Sequence, residues 1–173
     1  IYSRDELKQS EMAARLQSER VRFLLGDVRD YQRLRVAMHG VDLVFHAAAL
    51  KQVPSGEYNI NELVSTNVYG TQNVMMAASD VGVKRVVFLS SDKSVAAVNS
   101  YGMSKALSER VTIQANGYAP QGTEYVCVRY GNVWQSRGSV GRIWQAALQA
   151  GKPLPVTDLS MTRFFVTPEE AVE

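Results

Sequence analysis

The chain has 173 residues, with 19 Lys and Arg against 17 Asp and Glu, a formal charge of +2. That balance excludes a strongly basic nucleic-acid binder and an acidic tail protein, and 46% hydrophobic with 21% charged residues describes a core-forming domain rather than a disordered one. The length predicts one domain of about 100–200 residues. The single cysteine excludes an internal disulfide framework, no apolar run approaches the roughly 20 residues of a membrane span, and the opening IYSRDELKQSE is too charged for a signal peptide. The expectation is a soluble, cytoplasmic domain with no nucleic-acid or membrane partner.

Ser3 and Glu6 fit a capping box, and a helix is expected to follow to about residue 19, with Leu7, Met12 and Leu16 near one face. VRFLL at 21–25 reads as a strand. Residues 30–38 read as a helix, with Gly40 in the place of a C-terminal glycine. VDLVF at 41–45 is a second strand, and 46–59 a loop containing Pro54 and Gly56. Residues 61–81 read as one long helix ended by Gly82. RVVFLS at 85–90 is nearly continuous in apolar residues, as a strand buried on both faces should be. A loop follows to 99, a helix over 100–116, a fourth strand EYVCVR at 124–129, a helix over 140–150 and an extended stretch at 154–157.

Alternating strands and helices predict a doubly wound parallel sheet of the Rossmann-like class. Ligands of such sheets sit beyond the C-terminal strand ends. Those ends are Gly26-Asp27, His46 to Ala49, Ser90 to Lys93 and Arg129 to Asn132. A dinucleotide-binding sheet should open with a strand and a glycine-rich turn. Neither is found near residue 1, and Gly138-Ser139-Val140-Gly141 comes too late.

Tyr101 and Lys105 stand at i and i+4, on one helix face. An ammonium beside a phenol favours the phenolate, which makes Tyr101 a candidate acid/base for a substrate hydroxyl. Ser91-Asp92-Lys93 places three hydrogen-bonding or titratable groups after the third strand. A polar turn, with Asp92 capping a backbone N–H, is the alternative. His46 reads as a satisfied strand-end histidine, Cys127 as buried packing, and no His/Cys/carboxylate cluster has metal-ligand spacing.

Together these motifs resemble the extended short-chain dehydrogenase/reductase superfamily, and within it the 5-inverting UDP-N-acetylglucosamine 4,6-dehydratases. The resembling segments run from Tyr2-Ser3-Arg4-Asp5-Glu6 and Gly26 to Asp30 through His46 to Pro54, Thr66-Asn67-Val68, Gly70 to Val74, Ser90 to Lys93 and Val98 to Lys105. They continue through Arg129 to Val133, Ser136 to Val140 and Met161 to Phe164. Related glucose-nucleotide dehydratases carry Asp-Glu at Asp92-Lys93, and the membrane-anchored retaining relatives usually carry methionine at Tyr101. The resembling family usually reads Ser-Thr-Asp-Lys-Ala where this chain has Ser90 to Ser94, and Asn-Pro where it has Ala96-Ala97.

The resemblance implies an internal fragment of a longer NADP-dependent enzyme that lacks its first strand and glycine-rich turn. Residues 1–173 would form part of one dinucleotide-binding domain, with 130–173 contributing to the substrate region. It implies that Tyr101, assisted by Lys105, takes the C4 hydroxyl proton, that Lys93 takes the C5 proton, and that Asp92 protonates the departing C6 hydroxyl. Adjacent acid and amine would tend to form an ion pair, which such a site has to separate. Arg4, Asp27, Val28, Ala47, Ala48, Ala49, Lys51, Asn67, Ser90, Ser91, Tyr101 and Lys105 are its implied cofactor positions, with Asn67 also a structural support. Lys51, Ser91, Asn132, Arg137 and Arg163 are the implied UDP-sugar positions. A homo-oligomer is expected of the full-length protein. The rival readings are a nucleotide-sugar 4-epimerase, which needs no elimination pair, and a truncated, non-catalytic dinucleotide-fold module.

Overall fold

A computed structural model describes residues 1–119, 122–134, 136 and 138–172. The chain divides into two compact units, Ile1–Val128 and Arg129–Glu173. In the first, β1 (Tyr2–Ser3), α1 (Glu6–Leu16), β2 (Leu24–Leu25), α2 (Tyr31–Met38) and β3 (Leu43–His46) alternate. They are followed by α3 (Val53–Tyr58), α4 (Ile60–Val64), a π-helical segment (Ser65–Tyr69) that runs into α5 (Gly70–Val81), β4 (Arg85–Leu89), a 3₁₀ turn (Asp92–Ser94), α6 (Ser100–Ala115) and β5 (Glu124–Val128).

All strand pairing among the described residues is parallel. β3, β4 and β5 form one sheet in that order, with His46 opposite Phe88 and Leu89 opposite Val128, while β1 and β2 pair separately. This is the expected Rossmann-like α/β architecture. Its core gathers Leu34 and Met38 of α2, Val74, Met75, Ala77 and Ala78 of α5, Val86 and Phe88 of β4, and Tyr125 of β5. The Tyr125 hydroxyl donates to the Met75 carbonyl at 2.9 Å, so even the largest polar tip in the core is satisfied.

Several local expectations are corrected. Asp5, not Ser3, caps α1: its carboxylate accepts from Lys8 N, while Ser3 belongs to β1. The buried residue of α1 is Gln9, whose Nε2 donates to the carbonyls of Ser3 and Leu24. Leu7 and Leu16, expected near the buried face, are exposed. Of the two faces of β4, only that of Val86 and Phe88 is fully buried; Val87 and Leu89 are half-buried. The loop expected at 46–59 contains α3, with Pro54 in the first turn where a missing N–H costs nothing.

The second unit holds β6 (Asn132–Val133) paired with β7 (Phe165–Val166), and α7 (Val140–Gln149). The expected extended stretch at 154–157 forms no strand; the two-residue β7 lies further on. No described helix is long and apolar enough to cross a membrane.

Candidate active site

The chemistry-bearing residues gather where β4 ends. Ser90 N donates to the Val128 carbonyl at 2.7 Å, which carries the parallel ladder one residue beyond β4. The chain then turns through Asp92–Ser94, with Ser91 Oγ accepting from Lys93 N at 3.2 Å as the cap of that turn. α6 begins at Ser100, capped by Asn99 Oδ1, which accepts from Gly102 N at 2.8 Å. A Cβ at Gly102 would lie 2.3 Å from the Lys93 carbonyl oxygen. The start of α6 therefore seats directly against the backbone of the Asp92–Lys93 turn, a close approach that only glycine allows.

Asp92 and Lys93 form an ion pair, with Lys93 Nζ 2.9 Å from Asp92 Oδ1. Burial pushes the Asp92 carboxyl up, but hydrogen bonds from Lys93 and Ser91 and the attraction of the ammonium outweigh it and hold the group below its ordinary value. The pairing expected of an adjacent acid and amine is present.

On α6, Tyr101 is half-buried and Lys105 is 3% exposed. Lys105 Nζ donates to the Leu89 carbonyl at 2.6 Å and lies 4.1 Å from the Phe88 ring centroid. Burial brings its pKa down to about 8, against the attraction of Glu109. His46 is buried at the end of β3, with Nε2 3.0 Å from Thr71 Oγ1. Because Thr71 gives its own proton to the Asn67 carbonyl, His46 Nε2 is the donor of that pair. Burial, and then the Lys105 charge, take the His46 pKa to about 3. It is a neutral structural histidine, as the sequence indicated.

A cleft of about 960 Å³ opens between the β1–β2 pair and β3. Arg4, Val28 and Ala47 to Ala49 line it, which brings five implied cofactor positions together, while Leu34, Met38, Leu43 and Val44 give it apolar walls. Arg4 Nη1 lies 3.2 Å from Asp27 Oδ2. Hydrogen bonds from Arg29 first, then the charges of Arg29 and Arg4, lower the Asp27 pKa to about 2. Thr66 also lines the cleft; it is 4% exposed, and its Oγ1 has no hydrogen-bond partner. An unsatisfied buried hydroxyl on the wall, small alanines at a strand end and a cation near the first strand suit an elongated, polar-headed ligand such as a nicotinamide dinucleotide.

Other implied cofactor positions point elsewhere. Asn67 Oδ1 accepts from Leu50 N, and its Nδ2 donates to the Leu50 carbonyl and to Ser104 Oγ. Asn67 is thus a clamp between the His46-to-Pro54 segment and α6, the structural role among its expectations. Ser90 is 1% exposed and gives its proton to Glu109, so it supports the site from beneath. Lys51 is exposed outside the cleft lining. Asn132 and Arg163 belong to the second unit, where Arg163 Nη1 donates to the Thr162 carbonyl; Arg137 lies outside the described residues. Sequence reasoning missed Thr66, Ser94 and Glu109. An acid eight residues after Tyr101, on the same helical face, is the signal that could have found Glu109.

A parallel sheet with a strand-end cleft, and a helix bearing Tyr101 and Lys105 beside the Asp92–Lys93 pair, place this chain among the Rossmann-like α/β folds. The family model described as polysaccharide biosynthesis protein matches residues 1–173, and the chain belongs to that family. It is 47% identical over its whole length to the UDP-N-acetylglucosamine 4,6-dehydratase (inverting) of Campylobacter jejuni subsp. jejuni serotype O:23/36 (strain 81-176), covering 52% of that protein. Identity is also 47% to the UDP-glucose 4-epimerase of Rickettsia prowazekii (strain Madrid E), again over the whole chain and 51% of the relative. Among solved structures, the dTDP-glucose 4,6-dehydratase DesIV of Streptomyces venezuelae, a double mutant with NAD and DAU bound, superposes with a TM-score of 0.81 at 26% identity. That match covers 94% of this chain and 56% of DesIV. The chain therefore spans about half the length of the curated relatives it matches.

Proposed function

We propose that the full-length protein is a UDP-N-acetylglucosamine 4,6-dehydratase that inverts C5 and uses NADP. The observation that carries this reading is the Asp92–Lys93 ion pair packed against the start of the helix that bears Tyr101 and Lys105. Tyr101 accepts the C4 hydroxyl proton. A bound nicotinamide dinucleotide would supply a hydride acceptor for C4 and a hydride donor for C6, with a solvent-derived proton reaching C5 on the face that inverts it. Lys105, buried against the Leu89 carbonyl, supplies the positive charge that favours the Tyr101 phenolate.

Elimination then needs a neutral amine and a protonated acid. The ion pair already holds the one proton required: its transfer from Lys93 Nζ to Asp92 Oδ1, across 2.9 Å, produces both groups at once. Substrate that excludes water from the pair favours this neutral form. Lys93 then removes the C5 proton, which the C4 ketone has acidified, and Asp92 gives its proton to the C6 hydroxyl, which leaves as water. That step ends with Lys93 protonated and Asp92 ionised, so the resting ion pair is restored.

Arg4, Asp27, Val28, Ala47 to Ala49 and Thr66 hold the dinucleotide on this reading, and Arg4 supplies the cation for a 2′-phosphate. Lys51, Ser91, Asn132, Arg137 and Arg163 serve the UDP-sugar. By the same resemblance the full-length enzyme is a homo-oligomer of the branch that commonly feeds pseudaminic-acid-type sugars, and its composition and charge favour the cytoplasm. A 4-epimerase is the second reading, favoured by the Rickettsia relative; it shares Tyr101 and Lys105 but leaves Asp92-Lys93 without a task.

The test is incubation of the full-length protein with UDP-N-acetylglucosamine and NADP, followed by mass analysis. Loss of water is expected. Asp92→Asn and Lys93→Met should lower it by about 10²–10⁴-fold while C4 oxidation persists, and Tyr101→Phe should abolish both steps. A C4 epimer with no mass change would establish the second reading instead.

A further inference from the structure

Glu109 is 6% exposed, on α6, one turn beyond Lys105 and two beyond Tyr101. Its Oε1 accepts from Ser90 Oγ at 2.5 Å and from Ser94 Oγ at 2.7 Å. Those two serines bracket Ser91-Asp92-Lys93, so both ends of the turn converge on one carboxylate oxygen. Ser94 Oγ is also 2.6 Å from the Ser91 carbonyl, and its single proton serves both acceptors. With Gly102 seated against the Lys93 carbonyl, the turn touches α6 at two places, near its first residues and two turns further on.

We propose that Glu109 is a positioning residue that sets the Asp92–Lys93 pair in register with Tyr101, acting through the hydroxyls of Ser90 and Ser94. The proposal rests on the dehydratase reading above. On the connection between turn and helix, Ala96 adopts φ +46°, a left-handed conformation that an alanine does not favour, so the contacts at either end of the connection, and not its own preference, hold it in place. A helix-borne carboxylate that holds a neighbouring turn fixes geometry without touching substrate, and misplacement of about 1 Å costs about 10²-fold in rate.

The experiment compares Ser94→Ala, Glu109→Ala and Glu109→Gln in the full-length protein. Three readouts are taken: C4 oxidation in a single turnover, by absorbance of the reduced nicotinamide; elimination, by water loss and solvent deuterium at C5; and hydrogen exchange of the Ser94 and Val95 amides, which close the turn onto Ser91 and Asp92. Ser94→Ala should slow elimination about 10-fold with oxidation within about 2-fold of wild type, and Glu109→Ala should slow elimination about 10²-fold and oxidation to a smaller extent, because the Glu109 charge also favours the protonated Lys105; both should exchange faster at the two amides. Glu109→Gln, whose amide oxygen still accepts from Ser90, should recover most of the elimination. Equal losses in both chemical steps, or unchanged elimination in Ser94→Ala, would overturn the proposal. Should Glu109→Ala fail to fold, Ser94→Ala decides. Normal water loss in Asp92→Asn and Lys93→Met would instead refute the dehydratase reading.

Discussion

Replacing Lys105 by methionine should make the protein more stable while destroying its proposed chemistry. Lys105 is 3% exposed, and burial carries its pKa from 10.5 to about 8 even though Glu109 attracts the charge. At about 1.4 kcal/mol per tenfold change, that gap is about 3 kcal/mol of penalty for holding the ammonium inside the fold. The sign follows from proton counting. Below about pH 8 both the folded and the unfolded chain carry the proton, and the penalty is full. Between there and 10.5 the folded chain has released it and the unfolded chain has not, so wild-type stability rises with pH. Methionine fills similar space without charge, and loses the bond to the Leu89 carbonyl, worth about 1 kcal/mol, and the ammonium's contact with the Phe88 ring, worth about 1 kcal/mol. Lys105→Met should therefore exceed wild type by about 1 kcal/mol at neutral pH, and the advantage should fade towards pH 10.5. Urea unfolding followed by circular dichroism across that range measures it. A less stable variant at neutral pH, or a difference that does not change with pH, would refute the reasoning.

Two further outcomes follow from the same geometry. His46, with its pKa depressed from 6.5 to about 3, should withhold a proton that the unfolded chain binds, so acid should remove up to about 5 kcal/mol over that window. In His46→Gln the slope of stability against pH should be smaller by one proton, read from urea midpoints. Ala96→Asn should stabilise the fold by about 1 kcal/mol, because asparagine tolerates the left-handed backbone that Ala96 adopts at φ +46°; an unchanged or lowered melting temperature counts against it.

Parallel α/β alternation was legible because its punctuation is local. Asp30 caps α2, Asn99 caps α6, and Gly40 and Gly82 take positive φ where glycine was expected to end a helix. The Asp92–Lys93 ion pair was legible because an adjacent acid and amine tend to pair, and the 3₁₀ turn at Asp92–Ser94 lets them do so. Glu109 was not. On a helix an acid reads as solvated until the residues that cover it are known, and its partners Ser90 and Ser94 lie 19 and 15 residues back. Thr66 was hidden differently: a hydroxyl left without a partner is visible only once every neighbour has been placed. The pairing of β6 with β7 joins strands of two residues each, too short to leave a periodic signal.

The division of the first unit into two sheets bears on how it comes apart. Among the described residues, no backbone hydrogen-bond ladder joins the β1–β2 pair to β3–β4–β5. β1 and β2 match only two residues each, and α1 buries only Gln9. Such a segment opens at lower free energy than the core around Phe88 and Met75. Arg4 sits on it, so the wall proposed to meet the adenosine end of a dinucleotide is the part of the unit most ready to yield. The strand ends carrying Ser90 and Lys93 continue the sheet that holds last. Within these 173 residues, the proposed capture end and the proposed chemical end draw on opposite extremes of local stability.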